Sequence, residues 1–374
     1  MNYSTFPRTL RILHTEAATT FGGQEHRIYK EMLAMRERGH YLEAVCQPGA
    51  HLVGRLRQQG FCVHEVKMPG LGGFVRGAVR VTRILREGSF DVLNTHSRMD
   101  TILAAVAGRI ARTPLIVRTR HLAIPPGSLL SYTVLPHRVI AISEHVRELL
   151  LDRGVAPNKV ATVMTAINVP KPVEASTLHA ELGLNRDAII IGSVGHMRTQ
   201  KGHAELIAAT VPLLDTYPNL HLVIAGRGEP LLSELRSQVA AARLNTRIHL
   251  LGQRDDVVNL LCGFNIFALA TQIEALGTSF IEAAACGVPL VGTKVGGVPE
   301  IVKDGVNGFL VELHGQDQLR SVLRRLVADP ALRRAMGQAA QDQIRSDKRF
   351  SVAFMAAAME EAYFTWLQEQ AGPR

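Results

Sequence analysis

Short apolar runs alternate with longer amphipathic segments along the whole chain. This alternation predicts α/β architecture, with parallel β-sheets covered by helices. In the first half, the predicted helices include Gln24–Arg38, Val75–Arg86 and Thr101–Ala111. The strands predicted around them are Leu10–His14, Leu42–Cys46, Val63–Val66, Val92–Asn94, Leu115–Arg118, Val139–Ala141 and Val160–Val163.

The alternation is interrupted by two closely spaced prolines, Pro170 and Pro172, and then starts again. Because neither proline fits inside a helix or a central strand, Asn168–Val173 is predicted to be a linker. We therefore predict two similarly built domains, residues 1–170 and 171–350. Six strands are predicted in the second: Ala188–Ser193, Leu220–Ala225, Ile248–Leu251, Ile266–Leu269, Pro289–Gly292 and Gly308–Val311.

The last segment, Phe350–Gln368, is predicted to be a helix rich in aromatic residues, among them Tyr363, Phe364 and Trp366. Aromatic side chains so close to a terminus need a packing partner. We expect this helix, about residues 351–374, to return to the first domain.

The composition is that of a globular protein, with 47% apolar and 20% charged residues in a chain of 374. The four cysteines have no metal-binding or disulfide-type spacing and are expected to be reduced thiols. Met1–Gly23 lacks the features of a signal peptide, and no apolar run is long enough to span a bilayer. These features favour a cytoplasmic protein, which could lie on the inner face of a membrane.

The positive charge is concentrated in the first half of the chain. Residues 1–172 contain 23 Lys and Arg against 12 Asp and Glu, whereas the remainder contains 19 against 21. This distribution indicates a large anionic partner, such as membrane lipid, a phosphate-bearing acceptor or nucleic acid, or simply a solvated basic surface. Four arginines share one face of the predicted helix at 75–86, which fits either anionic lipid headgroups or solvent: Arg76, Arg80, Arg83 and Arg86.

The segment Thr271–Gly287 contains the most informative group of residues. Gly277-Thr278-Ser279 predicts a tight turn that opens a helix, whose free amides can bind phosphate. Glu282 is expected within about the first turn of this helix, and Glu274 in the loop before it. Since carboxylates accept strong hydrogen bonds from sugar and ribose hydroxyls, of about 1.5–3 kcal/mol each, the pattern suits a nucleoside diphosphate sugar. A surface loop with two solvated glutamates is the alternative.

Glu274 and Glu282 are separated by seven residues, with Gly277-Thr278 between them, and this pattern resembles the signature of family 4 retaining glycosyltransferases with the GT-B fold. The resemblance continues through Cys286–Val291, Gly296–Val302 and Asp304–Val311. It implies two Rossmann-like domains facing across a cleft, with the donor in the C-terminal domain and the acceptor at the N-terminal one.

The resemblance also implies further donor-binding residues. Gly195 and Lys201 match a loop that contacts the donor diphosphate, where Lys201 would neutralise the charge on the leaving phosphate. The family usually has Arg where this chain has His196, and Arg198 is a candidate for the same contact. In the N-terminal half, Gly22 and Gly23 match a Gly-Gly-x-Glu loop that faces the donor.

Several residues at predicted strand ends complete the expected site. The resemblance implies that His121 lies close to the transferred sugar. Glu25, His96 and Arg120 are candidates for contacting the acceptor; His96 could instead contact the donor, and Arg120 could be simply solvated. The predicted reaction centre comprises His121, Lys201 and Glu274, where Glu274 binds the sugar rather than acting as a base. Ser279 joins Gly277, Thr278 and Glu282 among the donor contacts.

The expected reaction is transfer of a sugar, with retention of anomeric configuration, from a nucleoside diphosphate sugar to a glycan or lipid-linked acceptor. A UDP-sugar is the first candidate donor, and cell-surface polysaccharide or lipopolysaccharide synthesis is the expected context. The resemblance implies no metal and no cofactor. Two alternatives remain: a nucleotide-sugar 2-epimerase of the same architecture, and a basic nucleic-acid-binding protein, which the 5% aromatic content disfavours.

Overall fold

The computed structural model describes residues 8–168, 172–173 and 175–371. Part of the predicted linker, residues 169–171, therefore lies outside the described residues. The chain divides into two compact units, one formed by Met1–Ala166 with Ser351–Arg374 and the other by Ile167–Phe350.

The first unit is built on a parallel sheet of seven strands within the described residues, in the order β3-β2-β1-β4-β5-β6-β7. The strands are β1 Arg11–Glu16, β2 Tyr41–Cys46, β3 Cys62–Glu65, β4 Val92–Thr95, β5 Leu115–Arg120, β6 Arg138–Ala141 and β7 Val160–Thr162. The helices between them are α1 Gly23–Glu37, α2 His51–Gln58, α3 Leu71–Gly88, α4 Arg98–Ala111, α5 Leu130–Thr133 and α6 Glu144–Asp152.

Both faces of this sheet are buried, as expected for parallel strands covered by helices. Successive side chains of β1 point to opposite faces. Ile12 packs in the core formed with α1 and α2, whereas Leu13 packs in the core formed with α3 and α4. Both faces of each strand must therefore be apolar, which explains why the strands could be predicted from continuous apolar runs in the sequence.

The second unit repeats the architecture with six parallel strands among its described residues, in the order β10-β9-β8-β11-β12-β13. These are β8 Ile189–Val194, β9 Leu220–Ala225, β10 Ile248–Gly252, β11 Ile266–Leu269, β12 Leu290–Thr293 and β13 Gly308–Val311. Its helices are α7 Leu178–Glu181, α8 His203–Thr216, α9 Leu231–Ala241, α10 Val257–Gly263, α11 Thr278–Ala285, α12 Val298–Ile301, α13 Gln316–Ala328 and α14 Pro330–Ser346.

The last helix, α15, runs over Val352–Ala371 and packs on α1 of the first unit. Its side chains Met355, Met359, Tyr363 and Trp366 join the core on that side of the sheet. Glu360 binds the ring of His40 at 3.0 Å between Oε1 and Nε2. The predicted return of the C-terminal helix to the first domain is thus confirmed.

Every predicted strand is present in the described part of the chain, with ends displaced by at most two residues. All four cysteines carry free thiols. Among the described residues, no helix combines the length and the apolar character needed to cross a bilayer.

Candidate functional site

Two loops of the second unit meet where its strand order reverses, between β8 and β11. In open parallel sheets, ligands bind beyond the carboxyl ends of the strands at such a point. The loop after β8 is joined to the loop after β11 by two bonds to the carbonyl of Gln200: the amide of Gln272 donates at 2.7 Å and the hydroxyl of Thr271 at 3.0 Å. The predicted donor-binding segments therefore lie side by side.

Lys201 and Glu274 form an ion pair across these loops, with 2.5 Å between Nζ and Oε2. Lys201 ends a short 3₁₀ turn, Thr199–Lys201, and the next residue, Gly202, has a φ of 68°. A side chain at Gly202 would lie 1.9 Å from the carbonyl oxygen of Ala270. Glycine is required here because the two loops approach each other so closely.

Helix α11 begins at Thr278, directly after Gly277, whose φ is 93°. This confirms the predicted turn. The amides of Thr278 and Ser279 form no hydrogen bond to any residue that the structure describes, so they remain available to an anion. Glu282 is the fifth helical residue and is half-buried, so it lies at the start of the second turn rather than in the first.

A glycine pair after β12 supports the backbone of Glu274. The amide of Gly297 donates to the Glu274 carbonyl at 3.0 Å. A Cβ at Gly296 would lie 1.8 Å from the same carbonyl oxygen, so only glycine permits this contact. The family-like Gly-Gly segment at 296–297 thus fixes the position of one predicted sugar-binding carboxylate.

Positive charge surrounds His196 in the loop after β8. Burial lowers the pKa of His196, and the charges of Arg198, Arg227 and Lys201 lower it further. The ring is therefore neutral at neutral pH, and the fixed positive charge comes from the lysine and the two arginines. Such a group of cations suits a diphosphate, and Lys201 connects it through Glu274 to the loop that leads into α11.

Arg227 was missed by sequence reasoning. It belongs to the segment Gly226-Arg227-Gly228, directly after the predicted strand Leu220–Ala225. A Cβ at Gly226 would lie 1.7 Å from the Gly195 carbonyl, so the two strand-end loops touch. A basic residue between two glycines at a strand end could have identified it.

In the first unit, three histidines form a row across neighbouring strands: His14 lies within β1, and His96 and His121 directly follow β4 and β5. The Nδ1 of His14 lies 3.0 Å from the Nε2 of His96, and the Nδ1 of His96 lies 3.0 Å from the Nε2 of His121. His14 and His96 are sealed from solvent, whereas His121 keeps 8% of its surface exposed. His14 was not a predicted site residue, although it ends the predicted strand Leu10–His14; the observed strand continues to Glu16.

This arrangement limits what His96 and His121 can do. Burial lowers the pKa of His96 and of His121 well below the usual value, so both rings are neutral at neutral pH. Both ring nitrogens of His96 are hydrogen-bonded to other histidines. The expected direct contact of His96 with an acceptor is therefore not supported, because neither ring nitrogen is left for it.

The remaining predicted residues of the first unit have structural partners. Glu25 is buried and accepts a hydrogen bond from the amide of Gly22 at 2.6 Å, so it caps the start of α1. Arg120 is also buried, and its guanidinium donates to the carbonyls of Leu122 and Ile124. These contacts hold the turn at the start of α1 and the loop after β5. Glu25 and Arg120 are therefore structural and not free to bind an acceptor. A Cβ at Gly23 would meet no atom within 4 Å, so the space beside α1 is open.

A pair of buried acids at the end of β1 also escaped sequence reasoning. Burial raises the pKa of Glu16 to about 8, and the neighbouring Asp100 contributes to this rise. Asp100 accepts hydrogen bonds from Thr15 Oγ1 at 2.7 Å and from the amide of His96 at 2.9 Å. The pair fixes the backbone beside the histidine row, and nothing in the spacing of these acids indicates that they are neighbours.

Two family models match the chain. The model described as "Glycosyltransferase Family 4" matches residues 21–170, and the one described as "Glycosyl transferases group 1" matches residues 174–343. Together they span most of the sequence, and each falls largely within one of the two compact units.

Two relatives illustrate the similarity at the level of sequence. D-inositol 3-phosphate glycosyltransferase of Thermobifida fusca is 27% identical, over 71% of this chain and 68% of its own. UDP-Gal:alpha-D-GlcNAc-diphosphoundecaprenol alpha-1,3-galactosyltransferase of Escherichia coli is 25% identical, over 69% of this chain and 72% of its own.

Solved structures agree on the fold. The crystal structure of Anabaena HepE in complex with UDP-glucose superposes with a TM-score of 0.83 at 22% identity, covering 95% of this chain and 100% of that one. The two sheets, the returning C-terminal helix and these matches lead to one assignment: the chain belongs to the family 4 glycosyltransferases with the two-domain GT-B fold.

Proposed function

We propose that this protein is a retaining glycosyltransferase that moves a sugar from a nucleoside diphosphate sugar, with UDP as the first candidate nucleotide, to a glycan or lipid-linked acceptor. The second unit binds the donor, and the first unit binds the acceptor. The single observation that carries the proposal is the group formed by the Lys201–Glu274 ion pair and the open N-terminus of α11 on adjacent loops.

The diphosphate is bound in the part of the site that is rich in hydrogen-bond donors and positive charge. The free amides of Thr278 and Ser279 and the helix dipole attract anionic oxygens. Lys201 adds a full positive charge, and Arg198 and Arg227 add positive charge around the neighbouring His196. This supports a ligand that carries two phosphates rather than a neutral sugar.

The carboxylates bind hydroxyl groups on the two sides of the diphosphate. Glu274 accepts bonds from the sugar while Lys201 neutralises its charge, which lowers the cost of keeping a carboxylate beside a diphosphate. Glu282, one turn into α11, accepts bonds from the ribose. The distance of one helical turn between the amides and Glu282 suits the step from phosphate to ribose.

Catalysis consists of positioning and of stabilising the leaving diphosphate. The new glycosidic bond forms on the face from which the diphosphate leaves, and a phosphate oxygen takes the proton of the acceptor hydroxyl. Lys201 and the amides of α11 stabilise the negative charge that develops on the leaving oxygen. No side chain has to act as nucleophile, which agrees with a neutral His121 and with a Glu16 enclosed by Ala18 and Gln24.

The acceptor is proposed to be lipid-linked and to serve cell-surface polysaccharide or lipopolysaccharide synthesis, with the enzyme on the inner face of the membrane. The E. coli relative is named for a diphosphoundecaprenol acceptor, which supports this choice. The excess of basic residues before residue 172 supports an anionic surface as partner of the first unit.

The test is sugar transfer from a panel of UDP-sugars to a polyprenyl-diphosphate-linked saccharide. Release of UDP measures the transfer, and NMR spectra give the anomeric configuration of the product. We expect an α-linked product from an α-linked donor. Lys201→Ala and Glu282→Ala should each lower turnover by about ten- to a hundredfold, since each removes a charge-assisted contact.

Matched controls come from the same unit. Lys303 is exposed and precedes β13, an edge strand, and Glu234 is exposed on α9, so Lys303→Ala and Glu234→Ala should leave turnover unchanged. Near-normal transfer by both site variants would refute the proposed site. Conversion of the UDP-sugar to its 2-epimer without any acceptor would instead identify an epimerase.

A further inference from the structure

The row of three histidines extends inward to a buried charged group that the proposed reaction does not use. The Nε2 of His14 faces the carboxylate of Glu31 at 3.9 Å. Glu31 in turn lies beside Arg27, with 3.6 Å between Oε2 and the guanidinium Nε. His14, Glu31 and Arg27 are each at most 1% exposed. The row therefore has a sealed inner end at Glu31 and a slightly exposed outer end at His121.

All three imidazoles in the row are neutral. Burial lowers the pKa of His14 to about 3 and those of His96 and His121 well below the usual value, and the charge of Arg27 acts in the same direction on each. A neutral imidazole carries a single N–H, so one ring nitrogen donates and the other accepts. Only two combinations of tautomers satisfy both hydrogen bonds of the row: every ring carries its proton on Nε2, or every ring carries it on Nδ1. The two combinations donate in opposite directions along the row.

The inner end selects the direction. The Oε1 of Glu31 accepts hydrogen bonds from the amide of Asn94 at 3.3 Å and from the hydroxyl of Tyr363 at 3.4 Å. This oxygen therefore carries no proton, and it lies 3.9 Å from the Nε2 of His14, too far for a hydrogen bond but close enough for electrostatic attraction. A proton on Nε2 of His14 is attracted to it, whereas a bare Nε2 would set lone pair against lone pair in a region of low dielectric.

The tautomer of His14 determines the tautomers of His96 and His121. With its proton on Nε2, His14 has a bare Nδ1, which accepts from Nε2–H of His96 at 3.0 Å. His96 then has a bare Nδ1, which accepts from Nε2–H of His121 at 3.0 Å. His121 is left with a bare Nδ1, and that atom forms no hydrogen bond with any residue in the described part of the chain.

We infer that His14 and His96 are positioning residues that hold His121 in the Nε2–H tautomer, so that its Nδ1 accepts a hydrogen bond from a saccharide hydroxyl. The identity of that ligand rests on the proposed function, whereas the tautomer rests only on the geometry of the row. His121 is thus a hydroxyl acceptor, not an acid, a base or a donor to phosphate. Each bond in such a chain polarises the next, which strengthens the outer acceptor.

A direct test is the ¹⁵N–¹H correlation spectrum of histidine-labelled protein, in which the two neutral tautomers give different nitrogen shifts. His121→Gln assigns the signal of His121. We expect Nε2–H for His121 in the unmodified protein. A signal from the Nδ1–H tautomer would overturn the inference, whatever the activity of the protein.

Variants of His14 test the positioning role. His14→Leu removes the hydrogen-bond acceptor for His96, so the row should reverse, giving Nδ1–H at His121 and raising KM for the saccharide acceptor by about tenfold, the cost of one misplaced hydrogen bond. His14→Asn supplies an oxygen close to the former Nδ1 and should restore the tautomer and most of KM. In both variants kcat at saturation and the affinity for UDP alone should change much less than KM.

The two proposals fail in different ways. If the unmodified protein bound no UDP-sugar, the proposed function would fail while the tautomer at His121 could still be as inferred. If His14→Leu folded with an unchanged tautomer and KM, the positioning role would be wrong while sugar transfer stood. If His14→Leu did not fold, the tautomer in the unmodified protein would still decide the inference.

Discussion

At the scale of single residues, the site of this protein depends on groups whose behaviour follows from burial. His14, His96 and His121 are neutral because water is excluded from them, and Lys201 is paired because Glu274 lies across a narrow gap between two loops. These properties come from contacts between residues distant in sequence. They decide the chemistry of the site more than residue type does.

The buried histidine row makes the first unit sensitive to acid. Because the folded-state pKa values lie below the unfolded value of about 6.5, the unfolded chain binds protons that the folded one cannot. The stability that the row contributes is therefore fully present above pH 6.5 and is lost as the pH falls below it. Each histidine should lower the free energy of unfolding by about 1.4 kcal/mol between pH 7.5 and 5.5.

Urea unfolding followed by tryptophan fluorescence measures this loss. Trp366 is the single tryptophan of the chain, and it packs in the core of the first unit. The His14→Asn variant should lose about 1.4 kcal/mol less than the unmodified protein over this pH interval. The exposed His51 offers a control, and His51→Gln should follow the unmodified protein. Equal loss in all three proteins would show that the row does not stay neutral on folding.

The residue types of the donor site could be predicted from the sequence, but their partners could not. The Glu-x7-Glu spacing, the Gly277 turn and Lys201 were apparent because each belongs to one continuous segment. Arg227 and Glu16 were missed because the groups that define their surroundings, His196 and Asp100, are distant from them in sequence. Arg120 suggested an acceptor contact, yet the carbonyls of the following loop surround its guanidinium.

At the scale of elements, α3 differs from the helix that its sequence predicts. The predicted helix at 75–86 extends to Leu71–Gly88. Thr82 and Leu85 are buried, whereas Val75 and Val79 are exposed beside the arginines rather than packed in the core. With Ile110 of α4 they line an open apolar groove of about 640 Å³. Basic residues next to exposed apolar ones are typical of surfaces that lie on anionic membranes.

The arginines of α3 are available for such a surface. Arg80 and Arg83 are exposed and form no ion pair with any of the residues that the structure describes. Each basic residue near an anionic bilayer contributes about 1 kcal/mol. Co-sedimentation with vesicles that contain phosphatidylglycerol should therefore weaken about tenfold or more in the Arg80→Gln/Arg83→Gln double variant at low salt.

The exposed valines of α3 can be tested separately from its arginines, and each test has a matched control. Val75→Ser/Val79→Ser should also weaken binding, because it removes the side chains that enter the lipid. Arg186 and Val306 are exposed residues of the second unit, and Arg186→Gln and Val306→Ser should bind as the unmodified protein does. Equal co-sedimentation with neutral phosphatidylcholine vesicles would contradict the role of α3.

At the scale of the whole molecule, the sequence predicted the fold almost completely. Parallel strands buried on both faces are continuous apolar runs, and helices packed on them are amphipathic, so both periodicities could be read directly. Trp366, Tyr363 and their neighbours indicated the returning helix for the same reason. The histidine row and the close approach of Gly296 to Glu274 could not be predicted, because the register between adjacent strands and loops is absent from a linear pattern.

The central claim is that the second unit binds the nucleoside diphosphate through Lys201, Glu282 and the N-terminus of α11. Calorimetric titration of the protein with UDP tests it most directly, since it needs neither the acceptor nor the sugar. We predict one UDP per chain, with affinity lowered about ten- to a hundredfold by Lys201→Ala and by Glu282→Ala and unchanged by Lys303→Ala and Glu234→Ala. Equal affinity in all five proteins, or no binding of any nucleoside diphosphate by the unmodified protein, would contradict the account.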